Sequence, residues 1–262
     1  MAKELIALGA RSVIGMVHCL PLPGSFGYAG DMEKILSQAV QDAQTLEKAG
    51  ADAIIVENMG DTPFTAKLNK AQIAALAAAA RKVADAVSIP VGVDAAFNDY
   101  EASLSIAAAA GATFIRVPVF VDTVVFTDGI IYPCAHDCVN YRKQMGLEHI
   151  KILADCQVKH SYMLCPSISI EVSAKNAAEA GADGIIITGA TIGDETPIEM
   201  IARAKKVVKI PVFAGSGVKP GNVREQLDIA DGCIVGSSFK KGGVLTNPID
   251  YTLARELIEA KG

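Results

Sequence analysis

Ala49-Gly50-Ala51-Asp52-Ala53-Ile54-Ile55-Val56 returns further along the chain as Ala180-Gly181-Ala182-Asp183-Gly184-Ile185-Ile186-Ile187. Each copy reads as the end of a helix, a glycine stop and a short buried strand. Glycine just past a helix accepts the left-handed backbone that terminates it. A run of Ile and Val behind such a stop suits a strand covered on both faces. Ala110-Gly111-Ala112-Thr113, ahead of Phe114, has the same form.

Outward from these junctions, apolar runs rich in Val and Ile occupy residues 13–17, 53–56, 91–93, 114–117, 150–154, 184–187, 212–214 and 233–235, which predicts eight strands. Helical spacing fills the intervals, as in Ile73, Leu76, Ala80, Val83 and Val87, with Asn69 placed to cap the start. Strand followed by helix throughout implies a parallel sheet. The third and seventh strands are both entered through Ile-Pro-Val, and the second and sixth share Ala-Gly-Ala-Asp, so similarity recurs at an offset of four strands. Two (β/α)4 halves closed into a single (β/α)8 TIM barrel over residues 1–262 fit this better than an open doubly wound sheet.

Composition narrows the function. Hydrophobic residues make up 51% and charged residues 20%, ample for a buried core. The net charge of -5, with Lys205-Lys206 and Lys240-Lys241 as the lysine doublets, argues against a nucleic-acid groove. The apolar stretches at 71–80 and 103–115 are interrupted and too short for a membrane span. Leu5 to Ala10, closed by Arg11, is too brief for a signal peptide, so a cytoplasmic location with six reduced cysteines is expected. Cys134 and Cys138 bracket His136, but with no second ligand pair nearby they read as a helical turn rather than a zinc site. A homo-oligomer is the expected assembly.

Helix-to-strand links are short, whereas residues 18–30, 57–68 and 120–133 form long connections after strands. In a barrel these gather at the C-terminal mouth, where function resides. Gly215-Ser216-Gly217 follows the seventh strand and Gly236-Ser237-Ser238 the eighth. Barrels commonly hold phosphate between these two loops, because glycine lets backbone N–H groups approach the oxygens.

Strand parity adds a second set of residues. Lys151, Leu153 and Asp155 share one face, which puts Asp155 at the mouth. The same rule places His18, Glu57, Asp94, Arg116 and Thr188 there, with Asn58 beside Glu57. Carboxylates facing an imidazole in such a place exchange protons with a substrate, or Glu57, Asp94, Asp155 and His18 coordinate a divalent cation, or the ring is a layer of mutually satisfied polar residues closing the barrel, with Arg116 neutralising the acids. Lys159 and His160 lie just beyond, and Lys159 joins the face of Asp155 if its strand extends that far. It then serves as a counter-charge to phosphate or to a carboxylate, or as a Schiff-base amine. His136, Tyr141 and Arg142 face either the mouth or solvent.

With these residues in view, the chain resembles the BtpA family and its SgcQ-like bacterial relatives nearly end to end. The carriers are Gly15-Met16-Val17-His18 with Pro21-Leu22-Pro23-Gly24, Val56-Glu57-Asn58 with Gly60-Asp61-Thr62-Pro63-Phe64, and Phe114-Ile115-Arg116-Val117. They continue through Ala154-Asp155, Val158-Lys159-His160, Thr188-Gly189 with Gly193, Gly215-Ser216-Gly217-Val218, Ala230-Asp231-Gly232 and Thr246-Asn247-Pro248. The resemblance implies a phosphate-binding barrel. The family takes its name from a factor in photosystem I biogenesis, and its SgcQ-like members suggest sugar phosphates as substrates. Asp94 and Phe97 stand where the family usually has Asn and Arg, and Pro118 where it has another Asn.

The expected function is an isomerase, lyase or hydrolase acting on a small phosphorylated metabolite through Asp155, Glu57 and His18. A non-catalytic accessory factor and a flavin mononucleotide-binding barrel are the alternatives.

Overall fold

At the two Ala-Gly-Ala-Asp junctions the glycines are left-handed, with φ of 101° at both Gly50 and Gly181, as the helix stops require. The aspartate that follows explains the repeat. Asp52 Oδ2 accepts from the Val13 N–H at 2.8 Å while its own N–H donates to Val13 O. Asp183 grips Ile152 in the same way, as Asp231 grips Val212. The acid thus extends strand pairing by one side-chain bond at the closed end of the sheet.

The computed structural model describes residues 11–189 and 195–262; the Leu5 to Ala10 run and Gly193 lie outside the described residues. The elements begin β1 (Ser12–His18), α1 (Met32–Ala49), β2 (Ala53–Glu57), α2 (Lys70–Ala86), β3 (Val91–Asp94), α3 (Tyr100–Ala110), β4 (Phe114–Val117), β5 (Val124–Phe126), β6 (Gly129–Ile131) and α4 (Ala135–Gln144). They continue β7 (Lys151–Cys156), β8 (Tyr162–Met163), α5 (Ile170–Glu179), β9 (Gly184–Ile187), α6 (Ile198–Lys205), β10 (Val212–Ala214), α7 (Val223–Ile229), β11 (Gly232–Val235) and α8 (Tyr251–Ala260). Strands β1, β2, β3, β4, β7, β9, β10 and β11 pair in parallel and close into a barrel, as the alternation predicted. Asn69 caps α2, and Gln72 returns its side chain to the Asn69 N–H to complete a capping box.

Side-chain parity divides the core in two. Ile14, Met16, Ala53, Ile55, Phe114, Leu153, Ile186, Phe213 and Ile234 fill the barrel interior. The alternate residues, among them Val13, Val17, Ile54, Val56, Ile152 and Ile185, pack outward against the helices. The next inward position on each strand therefore emerges at the mouth.

Two expectations need correction. Strand β7 ends at Cys156, and Gln157 turns into the left-handed region at φ 52°, so the strand does not carry Lys159 on the face of Asp155. Residues 120–133 are not an open loop either. They hold the β5–β6 hairpin, whose far side pairs with β8 to make a three-stranded antiparallel sheet beside the mouth. The turn is Thr127-Asp128, and Gly129 behind it, at φ 106°, was its sign in the sequence.

Candidate active site

The register sets His18, Glu57 and Asp94 side by side across β1, β2 and β3. The equivalent inward positions beyond Phe213 and Ile234 are Gly215 and Gly236, so the ring at the mouth is closed by two residues without side chains. A Cβ on Gly236 would stand 2.8 Å from His18 Cε1, and one on Gly215 would stand 2.5 Å from Ile186 Cγ2. A cavity of about 240 Å³ opens over this ring. His18, Glu57, Asp94, Arg116, Lys159 and His160 form its polar wall, and both glycine loops line it. Phe97, a departure from the family pattern at the mouth, joins Met59, Phe64, Phe126, Val158 and Leu245 in an apolar wall that sequence reasoning otherwise missed. Phe97 and Phe126 stack there with centroids 4.0 Å apart, and Phe126 is delivered by the unforeseen hairpin.

The polar groups have distinct surroundings. His18 Nε2 lies 3.3 Å from Glu57 Oε2. Burial alone would raise the Glu57 carboxyl, but the His18 hydrogen bond and the charges of His18, Arg116 and Lys159 outweigh it and hold the group below its usual range. Asp94 goes the other way. It is 1% exposed, its two carboxyl oxygens have no hydrogen-bond partner among the described residues, and Arg116 Nε comes only to 3.8 Å. Burial and then the Glu57 charge push its carboxyl well above the usual range, which favours its neutral form. Burial and the Arg116 charge bring the Lys159 amine down to about 8.

Asp155 reaches the mouth but does not line the cavity. Both its oxygens bind Arg116, Nε to Oδ1 and Nη2 to Oδ2, each at 2.8 Å. It therefore orients a cation, and the expectation that it exchanges a proton with substrate is corrected. Thr188 also stands behind the wall, where Oγ1 accepts from the Lys159 N–H at 3.0 Å. Asn58 is spent on the fold: its side chain accepts from Ala96 N and donates to Ala96 O and Asp61. Asp61 in turn accepts from Leu22 N and Gln72, tying the first three mouth loops together.

In the glycine loops the backbone is divided between fold and cavity. Gly215 N–H donates to Ile187 O at 2.7 Å, so it is not available to a phosphate as expected. Ser216 Oγ accepts from Gly189 N, and Ser238 Oγ donates to Val218 O at 2.6 Å, joining the two loops. Ser237 and Ser238 open a single 3-10 turn (Ser237–Phe239), and their N–H groups have no acceptor among the described residues. Those of Gly217, at φ 66°, are likewise unengaged. Lys240, next along, is withdrawn from the cavity: it is 1% exposed, donates to Asn247 O at 2.6 Å and lies 3.6 Å from Asp42.

The ligand set proposed for a cation does not assemble. Asp155 is occupied by Arg116, and among the described residues no three His, Cys, Asp or Glu side chains converge on one point. His136 bonds Asn140 on the exposed face of α4, Tyr141 pairs with Ser105, and Arg142 pairs with Asp183, all away from the mouth. Among the described residues no helix is long and apolar enough to cross a membrane.

A model of the BtpA family matches residues 9–262. An uncharacterised protein of Pyrococcus abyssi is 43% identical over 252 residues, covering 95% of each chain. The photosystem I biogenesis protein BtpA of Synechocystis sp. is 36% identical over 252 residues, covering 95% of this chain and 87% of that protein. Among solved structures, (S)-3-O-geranylgeranylglyceryl phosphate synthase from Thermoplasma acidophilum, in complex with its substrate sn-glycerol-1-phosphate, is 15% identical with a TM-score of 0.62, over 96% of this chain and 93% of that one. N-(5'-phosphoribosyl)anthranilate isomerase from Pyrococcus furiosus is 17% identical with a TM-score of 0.59, over 96% and 98%. At these identities the structural likeness establishes the TIM-barrel fold.

Proposed function

The chain belongs to the BtpA family, and from that premise we propose that it is an enzyme that anchors a small phosphorylated metabolite, of the sugar phosphate kind, and moves a proton on it as an isomerase, lyase or hydrolase. The observation that carries this reading is a cavity with two unlike parts. Gly217, Ser237 and Ser238, whose N–H groups have no acceptor among the described residues, line one part, and Glu57, His18, Asp94 and Arg116 line another. A phosphate held at the first presents the rest of a small molecule to the second, where binding energy becomes orientation.

The roles follow from the surroundings. Glu57, held ionised, is the proton acceptor, and His18, hydrogen-bonded to it, orients it. Asp94, its neutral form favoured, is the proton donor. Two carboxyl groups with opposed environments in one cavity are the usual arrangement of base and acid. Arg116, fixed by Asp155, stabilises negative charge developing on a substrate oxygen. A solved structure of the same fold in complex with sn-glycerol-1-phosphate supports the anchor.

The test is turnover across a panel of sugar phosphates, comparing the wild-type chain with Glu57→Gln and Asp94→Asn. Each substitution is expected to lower kcat at least a hundredfold, within the usual range for a general acid or base. Turnover that survives both would overturn the roles. The name of the Synechocystis relative supports a second reading, an accessory factor in photosystem I biogenesis. On that reading a variant lacking His18, Glu57 and Asp155 would still complement a deletion strain.

A further inference from the structure

Among the described residues, the side chain of Lys159 in the cavity has no partner. Lys159 Nζ makes no hydrogen bond or ion pair with any described residue, although Glu57, Asp94 and Asp155 are close enough to act on its charge. Its backbone is fixed in an uncommon shape. Gln157 and His160, on either side, both take left-handed φ angles of 52° and 64°, a region that non-glycine residues seldom enter. Gln157 is held there by Asp122, which accepts from its N–H at 2.8 Å, and by its own side chain, which donates to Ile168 O at 3.0 Å. Thr188 fixes the Lys159 N–H itself. The bend turns the chain out of β7 and sets the lysine on the cavity wall with Arg116 and Asp94.

We propose that Lys159 is a covalent nucleophile that forms a Schiff base with the carbonyl carbon of a phosphorylated aldehyde or ketone. This rests on the phosphate-anchor reading and narrows it to carbonyl substrates. A counter-ion for phosphate would gain from full protonation, whereas burial and the charge of Arg116 leave part of this amine neutral at ordinary pH.

The step balances within the cavity. The neutral Nζ lone pair attacks the carbonyl carbon as the C=O π bond opens, and a proton passes from nitrogen to oxygen to give the carbinolamine. The carboxyl of Asp94, neither oxygen of which has a hydrogen-bond partner among the described residues, then protonates the hydroxyl. Water leaves, the nitrogen lone pair forms the C=N bond, and the products are an iminium ion, water and the Asp94 carboxylate. The iminium withdraws electrons from the neighbouring carbon, which suits the lyase and isomerase members of the proposed class.

The probe is D-glyceraldehyde 3-phosphate with sodium cyanoborohydride, read by intact mass and peptide mapping, on the wild-type chain, Lys159→Arg and Lys159→Met. The expected result is one reduced adduct, at Lys159, suppressed at least tenfold by saturating inorganic phosphate and absent from both variants. Lys159→Arg keeps the positive charge, so its circular dichroism and calorimetric phosphate affinity should match the wild type while labelling is lost. No adduct at Lys159 in a preparation that still binds phosphate overturns the nucleophile and leaves the anchor standing. Equal labelling of Lys159 by glyceraldehyde and its phosphate overturns the anchor instead. Labelling spread over surface lysines, unaffected by phosphate, overturns the proposal.

Discussion

Arg116 and Asp155 meet through two parallel hydrogen bonds of 2.8 Å, with 7% and 1% of their surfaces exposed. The pair lies across β4 and β7 at the base of the cavity. Bidentate geometry fixes the guanidinium plane as no single contact would. Removing one member of a buried pair strands the other charge, at a cost of about 3–5 kcal/mol. Asp155→Ala is therefore expected to lower the unfolding free energy by about that amount in urea titrations. Asp155→Asn, which keeps an acceptor for Arg116, should lose less. Equal stability of wild type and Asp155→Ala would contradict the pairing.

Asp94 gives a pH dependence of definite sign. Its folded pKa is raised, by burial first and by Glu57 second. The folded chain thus keeps a proton that the unfolded chain releases near the ordinary aspartate value of about 3.9. The stability associated with the neutral acid is complete below that pH and is lost as pH rises through the folded pKa. Asp94→Asn cannot ionise, so its stability relative to wild type should be similar in acid and increasingly favourable toward neutral pH. Urea midpoints followed by circular dichroism across that interval measure the difference. Parallel curves would mean Asp94 ionises normally.

Gly236 tests the spacing of the mouth. A methyl group there would stand 2.8 Å from His18 Cε1 and must push the imidazole aside. Overpacking of this kind costs about 1–3 kcal/mol. Gly236→Ala should lose that much stability and most of its phosphate affinity, the latter read by calorimetry. Unchanged affinity would separate this loop from the anchor.

Phe126 stacks on Phe97 over the apolar wall and comes from the β5–β6 hairpin, not the barrel. Phe126→Ala should leave inorganic phosphate binding intact while raising KM for the substrate about tenfold, or ~1.4 kcal/mol. A parallel loss of phosphate affinity would show the hairpin acting on the anchor as well.

The barrel was legible because its signals are local and repeated: eight Val- and Ile-rich runs, three glycine stops and a shared entrance at an offset of four strands. Parity then carried the reading from strands to side chains, and His18, Glu57, Asp94 and Arg116 reach the cavity as that rule requires. It failed where function depends on what a side chain meets. Parity left open whether Arg116 neutralises the acids or meets a substrate, and did not say that it takes both Asp155 oxygens or that Ile187 takes the Gly215 N–H. Phe97 was placed at the mouth, but the wall it forms was missed because Phe64 and Phe126 come from separate connections, and only the folded chain brings the three together. Lys159 reached the cavity by a left-handed turn at Gln157, which no propensity favours.

The central claim is that phosphate is held by the backbone of the two glycine loops. Amide chemical shifts of 15N-labelled protein, followed while inorganic phosphate is added, address it directly. Saturable shifts centred on Gly217, Ser237 and Ser238, with little change at Gly215, are the predicted result. Shifts that fail to saturate, or that fall on surface lysines while those three amides stay still, would contradict the account.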